Sequence, residues 1–205
     1  IPKGFFDYSK DAGAETLVNQ IRRIAELRLS IDIARNMKGG ELLVVDGSVY
    51  PAGYDATEIK ALIKLCKERQ VGLLGFSKNS LLKSQSGSLI NEDILNFSKS
   101  LNLKRWVCSN IFFEDTLKIF TSYAYLHPLS RFAFRVDHLA NPILPLERLS
   151  TNSCDGTFPG YPYGLIMVDK LARVKNEEKN YLYSKHFLSR NLIGVQNPHE
   201  ILDSM

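Results

Sequence analysis

Glu41-Leu-Leu-Val-Val-Asp-Gly-Ser48 carries four consecutive apolar residues into a carboxylate and then breaks at glycine and serine. A short apolar run with no polar residue before its last position reads as a strand buried on both faces, central in a sheet covered on its two sides. The first polar side chain past such a strand stands at the sheet edge where α/β proteins bind ligands, which makes Asp46 a candidate for chemistry. Val71-Gly-Leu-Leu-Gly-Phe-Ser-Lys78 repeats the pattern and ends on a lysine, so Lys78 is the second candidate.

Between these runs, Tyr50-Pro-Ala-Gly-Tyr54 is a turn, and Ala56 to Arg69 is an amphipathic helix. Ile59, Ile63 and Cys66 face inward on it, with Lys60, Lys64 and Lys67 outward. Strand, crossover helix and strand form one unit, with parallel strands and a right-handed connection. Upstream, Ala14 to Met37 reads as a long helix stopped by Gly39-Gly40, with Leu17, Ile21, Ile24 and Ile31 at helical spacing. Glu26 lies off that stripe beside Leu29 and Ile33, which are also apolar. The helix is therefore expected to touch protein on two sides and to hold Glu26 in a partly enclosed position.

Downstream, the polar stretch from Ser80 to Ser100 reads as a mobile connection carrying a short helix. Leu117 to His127 and Arg131 to Leu139 have strand composition and join at Pro128-Leu129-Ser130 as a hairpin. Asn141 to Tyr163, broken by four prolines and two glycines, reads as a loop or lid. Leu165 to Lys175 resumes helical spacing through Leu165, Val168, Leu171 and Ala172, and the tail is weakly patterned. With 205 residues, one domain is expected, its core at about 14–175 and a C-terminal tail at 176–205.

Composition narrows the class only slightly. Twenty-six basic against 22 acidic residues leave a charge of +4, which permits a polyanionic partner without requiring one. Cys66, Cys108 and Cys154 form no CxxC pair, so neither a zinc site nor a disulfide framework is indicated, and reduced thiols in a cytoplasm are the expectation. No apolar run approaches the roughly 18 residues of a membrane span, and the first residues lack the order of a signal peptide. The chain starts with isoleucine, as a trimmed piece of a longer protein would.

Three carboxylates from separate elements, Glu26, Asp46 and Asp169, could meet at one sheet edge. Clustered carboxylates repel unless they share a hard cation, and two Mg²⁺ or Mn²⁺ ions so held clamp both oxygens of an in-line phosphoryl displacement. The plain alternative is two solvated helix charges and a turn cap, and spacing alone favours it. Lys78 could neutralise a phosphate or be a surface lysine, and Tyr161 of Tyr161-Pro162-Tyr163 could contact a nucleotide or pack under the loop. Asp137 is a weaker carboxylate candidate, while His127 and His138 have no partner at metal-ligand spacing and read as structural. Neither a Walker lysine loop nor a Gly-x-Gly-x-x-Gly is present.

Five pieces occur in one order: Arg22-Arg-Ile-Ala-Glu26, Leu-Leu-Val-Val-Asp46-Gly-Ser48, Leu-Leu-Gly-Phe-Ser-Lys78, Phe134-Arg-Val-Asp137 and Gly160-Tyr-Pro-Tyr-Gly-Leu-Ile-Met-Val-Asp169. Together they resemble the NurA family of nucleases, over most of the chain up to about Lys175. The resemblance implies an α/β fold, a ribonuclease H-like mixed sheet flanked by helices and incomplete at its N-terminus. It further implies a Mn²⁺- or Mg²⁺-dependent deoxyribonuclease, a 5′-to-3′ exonuclease and single-strand endonuclease. Such an enzyme forms homodimers and works with a HerA-type hexameric ATPase in DNA end resection and repair. Glu26 and Asp46 then match metal ligands, and Tyr161 matches the tyrosine of a Tyr-Pro motif.

Two positions depart from the family pattern. Asp169 stands where the family usually has histidine, which keeps a metal ligand but alters its charge and reach. Nothing before Ala14 matches the family's first catalytic aspartate, which closes an earlier Asp-Gly-Ser strand. Either that strand is missing from this chain, or the chain is a degenerate relative serving as a DNA- or ATPase-binding module. An unrelated α/β domain binding a small phosphorylated ligand at the two strand ends is the remaining alternative.

Overall fold

The computed structural model describes residues 13–194 apart from positions 79, 81, 85 and 86. Its elements are α1 (Ala14–Asn36), β1 (Leu42–Asp46), α2 (Ala56–Arg69), β2 (Gly72–Ser77), α3 (Ile90–Ser100), β3 (Trp106–Glu114), β4 (Ile119–Tyr125), β5 (Phe134–His138), α4 (Ile143–Thr151), α5 (Tyr163–Ala172) and α6 (Asn176–Gly194). The strands form one mixed sheet in the order β1-β2-β5-β4-β3, parallel between β1 and β2 and antiparallel elsewhere. Helices flank the sheet, so the mixed α/β class and the parallel pair around α2 stand as read from the sequence.

Strand alternation sorts the core into two layers. Leu43 and Val45 pack with Leu27 and Ala34 of α1, with Ile59, Ile63 and Cys66 of α2, and with Ile119. Leu42 and Val44 turn to the other side, where Leu74, Phe76, Phe134 and Val136 meet Leu146 of α4 and Leu165 of α5. Both faces of β1 are thus covered, yet among the described residues it is an edge strand and not a central one. An apolar run reports what covers a strand's faces and is silent about its hydrogen-bonding edges. β2, between β1 and β5, does lie inside the sheet.

Two further expectations are corrected, and one strand is added. The second side of α1 is open, because α2 and β1 cover only the line through Ile24, Leu27 and Ala34 and leave Leu29 61% exposed. The stretch read as a loop or lid contains α4, with Pro142 as its N-cap and Pro145 in its first turn. Proline is tolerated there because the first N–H groups of a helix have no intrahelical partner to lose. β3, unread in the sequence, is mostly exposed, and its register shifts between Cys108 and Phe112 beside the left-handed Asn110, so no alternation survives to be recognised.

The chain divides into two compact units, the first ending at Ile166 and the second beginning at Met167, inside α5. In the second unit, Val168 and Leu171 are exposed, so the apolar spacing of α5 does not mark a buried stripe beyond Leu165. The tail forms α6. No helix among the described residues is long and apolar enough to cross a membrane.

Candidate functional site at the ends of β1 and β2

Asp46 follows Leu42 and Val44 in alternation, so its carboxylate emerges on the layer that contains α4 and the start of α5. Lys78 continues the alternation of Leu74 and Phe76 and emerges on the same face. Tyr161 meets them there. Its ring is buried against Phe76, Phe134 and Phe158, and its hydroxyl donates to Asp46 Oδ1 at 2.9 Å. Lys78 Nζ lies 3.5 Å from Asp46 Oδ2 and 4.7 Å from the centre of the Tyr161 ring. The Asp46 side chain remains 50% exposed, so a ligand can reach it without any part of the fold moving.

Gly160 sets Tyr161 in place. Its φ of +88° is a left-handed conformation, and a Cβ there would stand 2.8 Å from Ser130 Cβ and Oγ. Only glycine lets the 160 loop close onto the 130 loop and carry the next residue into the core.

The turn after Asp46 is held from the opposite layer. Asp137, fully buried, accepts from Ser48 Oγ at 2.6 Å, Thr121 Oγ1 at 2.7 Å, Arg135 Nε at 2.8 Å and Nη2 at 3.1 Å, and Val49 N–H at 3.3 Å. Each oxygen has at least two donors, which is what a carboxylate requires in order to stay buried. Gly75 of β2 lies directly beneath, where a Cβ would come within 2.8 Å of Gly47 O and 2.9 Å of Val49 N. Asp137 is therefore a support for the Asp46-Gly47-Ser48 turn, with no oxygen turned to solvent.

Arg23 was not singled out by the sequence reading. It reaches from α1 to the Asp46 carbonyl at 3.1 Å and also donates to the Ser48 carbonyl. Its Nε lies 3.6 Å from the buried Asp55, and its Nη1 lies 4.0 Å from Glu26 Oε2. The signal was present, since Arg23 precedes the buried Leu27 by four residues and so shares its helix face. Asp137 likewise shares a strand face with Arg135, two residues before it, which marks an internal ion pair.

The five candidates are thus joined unequally. Asp46, Lys78 and Tyr161 are in direct contact. Glu26 is 46% exposed and not enclosed as expected; it approaches the Asp46 backbone only through Arg23 and also faces Arg22 at 3.8 Å. Asp169 lies in the second unit, where Arg173 donates to it at 2.7 Å. Among the described residues, no group of three or more His, Cys, Asp or Glu side chains is placed to hold a metal ion. Glu26 and Asp46 are each about half exposed, and what links them is Arg23: α1 packs against the face of β1 opposite to the one onto which the Asp46 carboxylate emerges.

His127 and His138 take structural places. His138 Nδ1–H donates to the Ala140 carbonyl at 2.5 Å, Nε2 meets Ser122 Oγ at 2.7 Å, and the ring stacks on Phe120. Burial lowers its pKa below 6.5, against smaller upward effects from the Ala140 hydrogen bond and the Asp137 charge. His127 Nδ1 accepts the Leu129 N–H. Two cavities of about 350 and 290 Å³ share His138, Ala140 and Asn141 in their walls. The smaller is also lined by Leu42 and Gly72, the first residues of β1 and β2, at the far end of these strands from Asp46.

No family model matches this chain, and neither the curated proteins nor the solved structures give a match to it.

Proposed function

We propose that the chain is a metal-dependent DNA nuclease of the NurA type, with Asp46 at the centre of its site. The observation that carries this reading is the half-exposed Asp46 carboxylate at the end of β1, bonded to the Tyr161 hydroxyl and flanked by Lys78. Asp46 would be a ligand of the Mn²⁺ or Mg²⁺ ion, the other ligands being those that the family resemblance assigns. The ion would activate water and stabilise charge on the phosphate. Lys78 neutralises a phosphate, and Tyr161 orients the Asp46 carboxylate while its ring supports the Lys78 stem. The ribonuclease H-like architecture, a homodimer and a HerA-type ATPase partner belong to the same proposal.

Asp46→Asn tests it, because the amide has nearly the carboxylate's shape but loses its charge. Mn²⁺-dependent digestion of single-stranded DNA should fall by more than the ~10–100-fold that losing an outer-shell partner costs. Unchanged digestion overturns the assignment.

A second reading, a degenerate member that binds DNA or an ATPase without cleaving, draws on two local cations. Lys78 already faces Asp46, and Arg23 already faces Glu26. That reading predicts DNA or ATPase binding with no metal-dependent cleavage, and no measurable Mn²⁺ binding by calorimetry.

A further inference from the structure

We infer that Phe132, at the tip of the β4–β5 hairpin, is a stacking shelf for an unpaired nucleobase beside the Asp46 site. This rests on the nucleic-acid reading proposed above and adds a base-binding subsite to it.

Phe132 is 49% exposed, yet its backbone is fastened on both sides. Ser130 Oγ donates to the Phe132 carbonyl at 2.8 Å and accepts the Phe132 N–H at 3.2 Å. The Ser130 carbonyl is in turn bonded by the Tyr125 hydroxyl at 2.9 Å, and that hydroxyl also meets the Pro128 carbonyl at 3.1 Å. The loop bearing Phe132 is therefore built to hold the ring in one place, although the ring itself is only half covered.

The ring's stacked neighbour among the described residues is Phe158, at 6.2 Å between centres and 20° between planes, while Phe134 lies tilted at 6.4 Å. Phe158 meets Tyr161 edge-on at 5.4 Å, and the Tyr161 hydroxyl reaches Asp46. A continuous row of rings thus runs from an open aromatic surface to the candidate carboxylate. Lys78 stands at one end of the row, and at the other the exposed Arg131 precedes Phe132 in the chain. Bases in a duplex are already stacked on one another and cannot use such a shelf. An unpaired base can, with the two cations available to its flanking phosphates. The row's length, three rings, places the shelf within a few nucleotides of Asp46.

The test uses the full chain without divalent metal, so that binding is read apart from cleavage. A fluorescent oligothymidylate should bind the wild-type chain more tightly than an abasic strand of equal length and charge. Phe132→Ala should weaken oligothymidylate binding by about 5-fold or more, the effect of one lost base stack. It should leave abasic-strand binding unchanged. Phe132→Trp should restore affinity, and its emission should be quenched by oligothymidylate but not by the abasic strand, with the Trp106 signal of the wild-type chain subtracted. Equal affinity of Phe132→Ala and wild type for oligothymidylate, or no single-strand binding by the wild type, overturns the shelf. If the base-dependent binding holds while Mn²⁺ produces no cleavage, the nuclease reading fails and the shelf stands. If cleavage depends on Asp46 but Phe132→Ala binds normally, the reverse is true.

Discussion

The Ser48 hydroxyl donates to Asp137 Oδ2 over 2.6 Å, tying the turn after β1 to the buried carboxylate of β5, 89 residues away in sequence. The two aspartates of this region consequently have opposite duties. Asp137 is enclosed beneath the α1–α2 layer and saturated with donors, and Asp46 is turned to the other layer and left half open. The first fixes the backbone that aims the second.

Asp137→Ala should be among the most damaging single changes in the chain. It strips Arg135, whose side chain is only 15% exposed, of its counter-ion and removes the acceptor of Ser48 and the nearer acceptor of Thr121. Removing one member of a buried pair costs about 3–5 kcal/mol, which urea unfolding would read as a lowered midpoint. A loss below about 1 kcal/mol would mean that Asp137 does not hold the turn.

Gly75→Ala adds one methyl group where the Gly47 carbonyl and Val49 N–H stand within 3 Å. Both obstacles are backbone, so the turn itself must move. The expected loss is about 1–3 kcal/mol, with a larger fall in Asp46-dependent activity than in stability because the displaced segment carries the carboxylate. Thermal melts beside initial rates separate the two.

Tyr161→Phe removes the 2.9 Å hydrogen bond to Asp46 and keeps the ring in its aromatic cluster. Stability should change by only about 1 kcal/mol, and, with Asp46 holding an ion as proposed, activity should drop by ~10–100-fold, the cost of losing a group that orients a metal ligand. Tyr161→Ala opens the core as well and should cost about 3–5 kcal/mol. Equal activity of Tyr161→Phe and wild type would leave the hydroxyl with no part in the chemistry.

His138 gives the fold an acid-side dependence of known sign. Burial depresses its pKa below 6.5, so the unfolded chain takes up this proton at higher pH than the folded one. Its contribution is complete above about pH 6.5 and is lost as pH falls toward the folded value, with a slope of at most about 1.4 kcal/mol per pH unit. Wild type should lose more stability than His138→Gln between pH 7 and pH 5. Parallel curves for the two proteins in denaturant titrations would refute the assignment.

Local pattern determined much of this protein. The periodicity of 56–69 is enough to specify α2 and its inward Ile59, Ile63 and Cys66, though not the equally buried Leu62, and two apolar runs either side of a crossover helix are enough to specify parallel strands. Asp46 and Lys78 were legible as strand-end groups for the same reason. What covers a segment's faces is written in its side chains every second or every third and fourth residue. Which strand lies at an edge, and which distant group bonds which, is not.

Only the tertiary structure decided that Asp46 and Lys78 face Tyr161, that Asp137 is a support, and that Arg23 stands between Glu26 and the β1 end. Apart from the i,i+3 pair of Arg23 with Glu26, those relations join residues from 23 to 115 positions apart, through a register and a layer assignment that no local window contains. Hydrogen bonding and close contact act over about 3 Å of space, whereas composition and periodicity act along the chain. The sequence therefore supplied the parts of the site, and packing settled which of them meet.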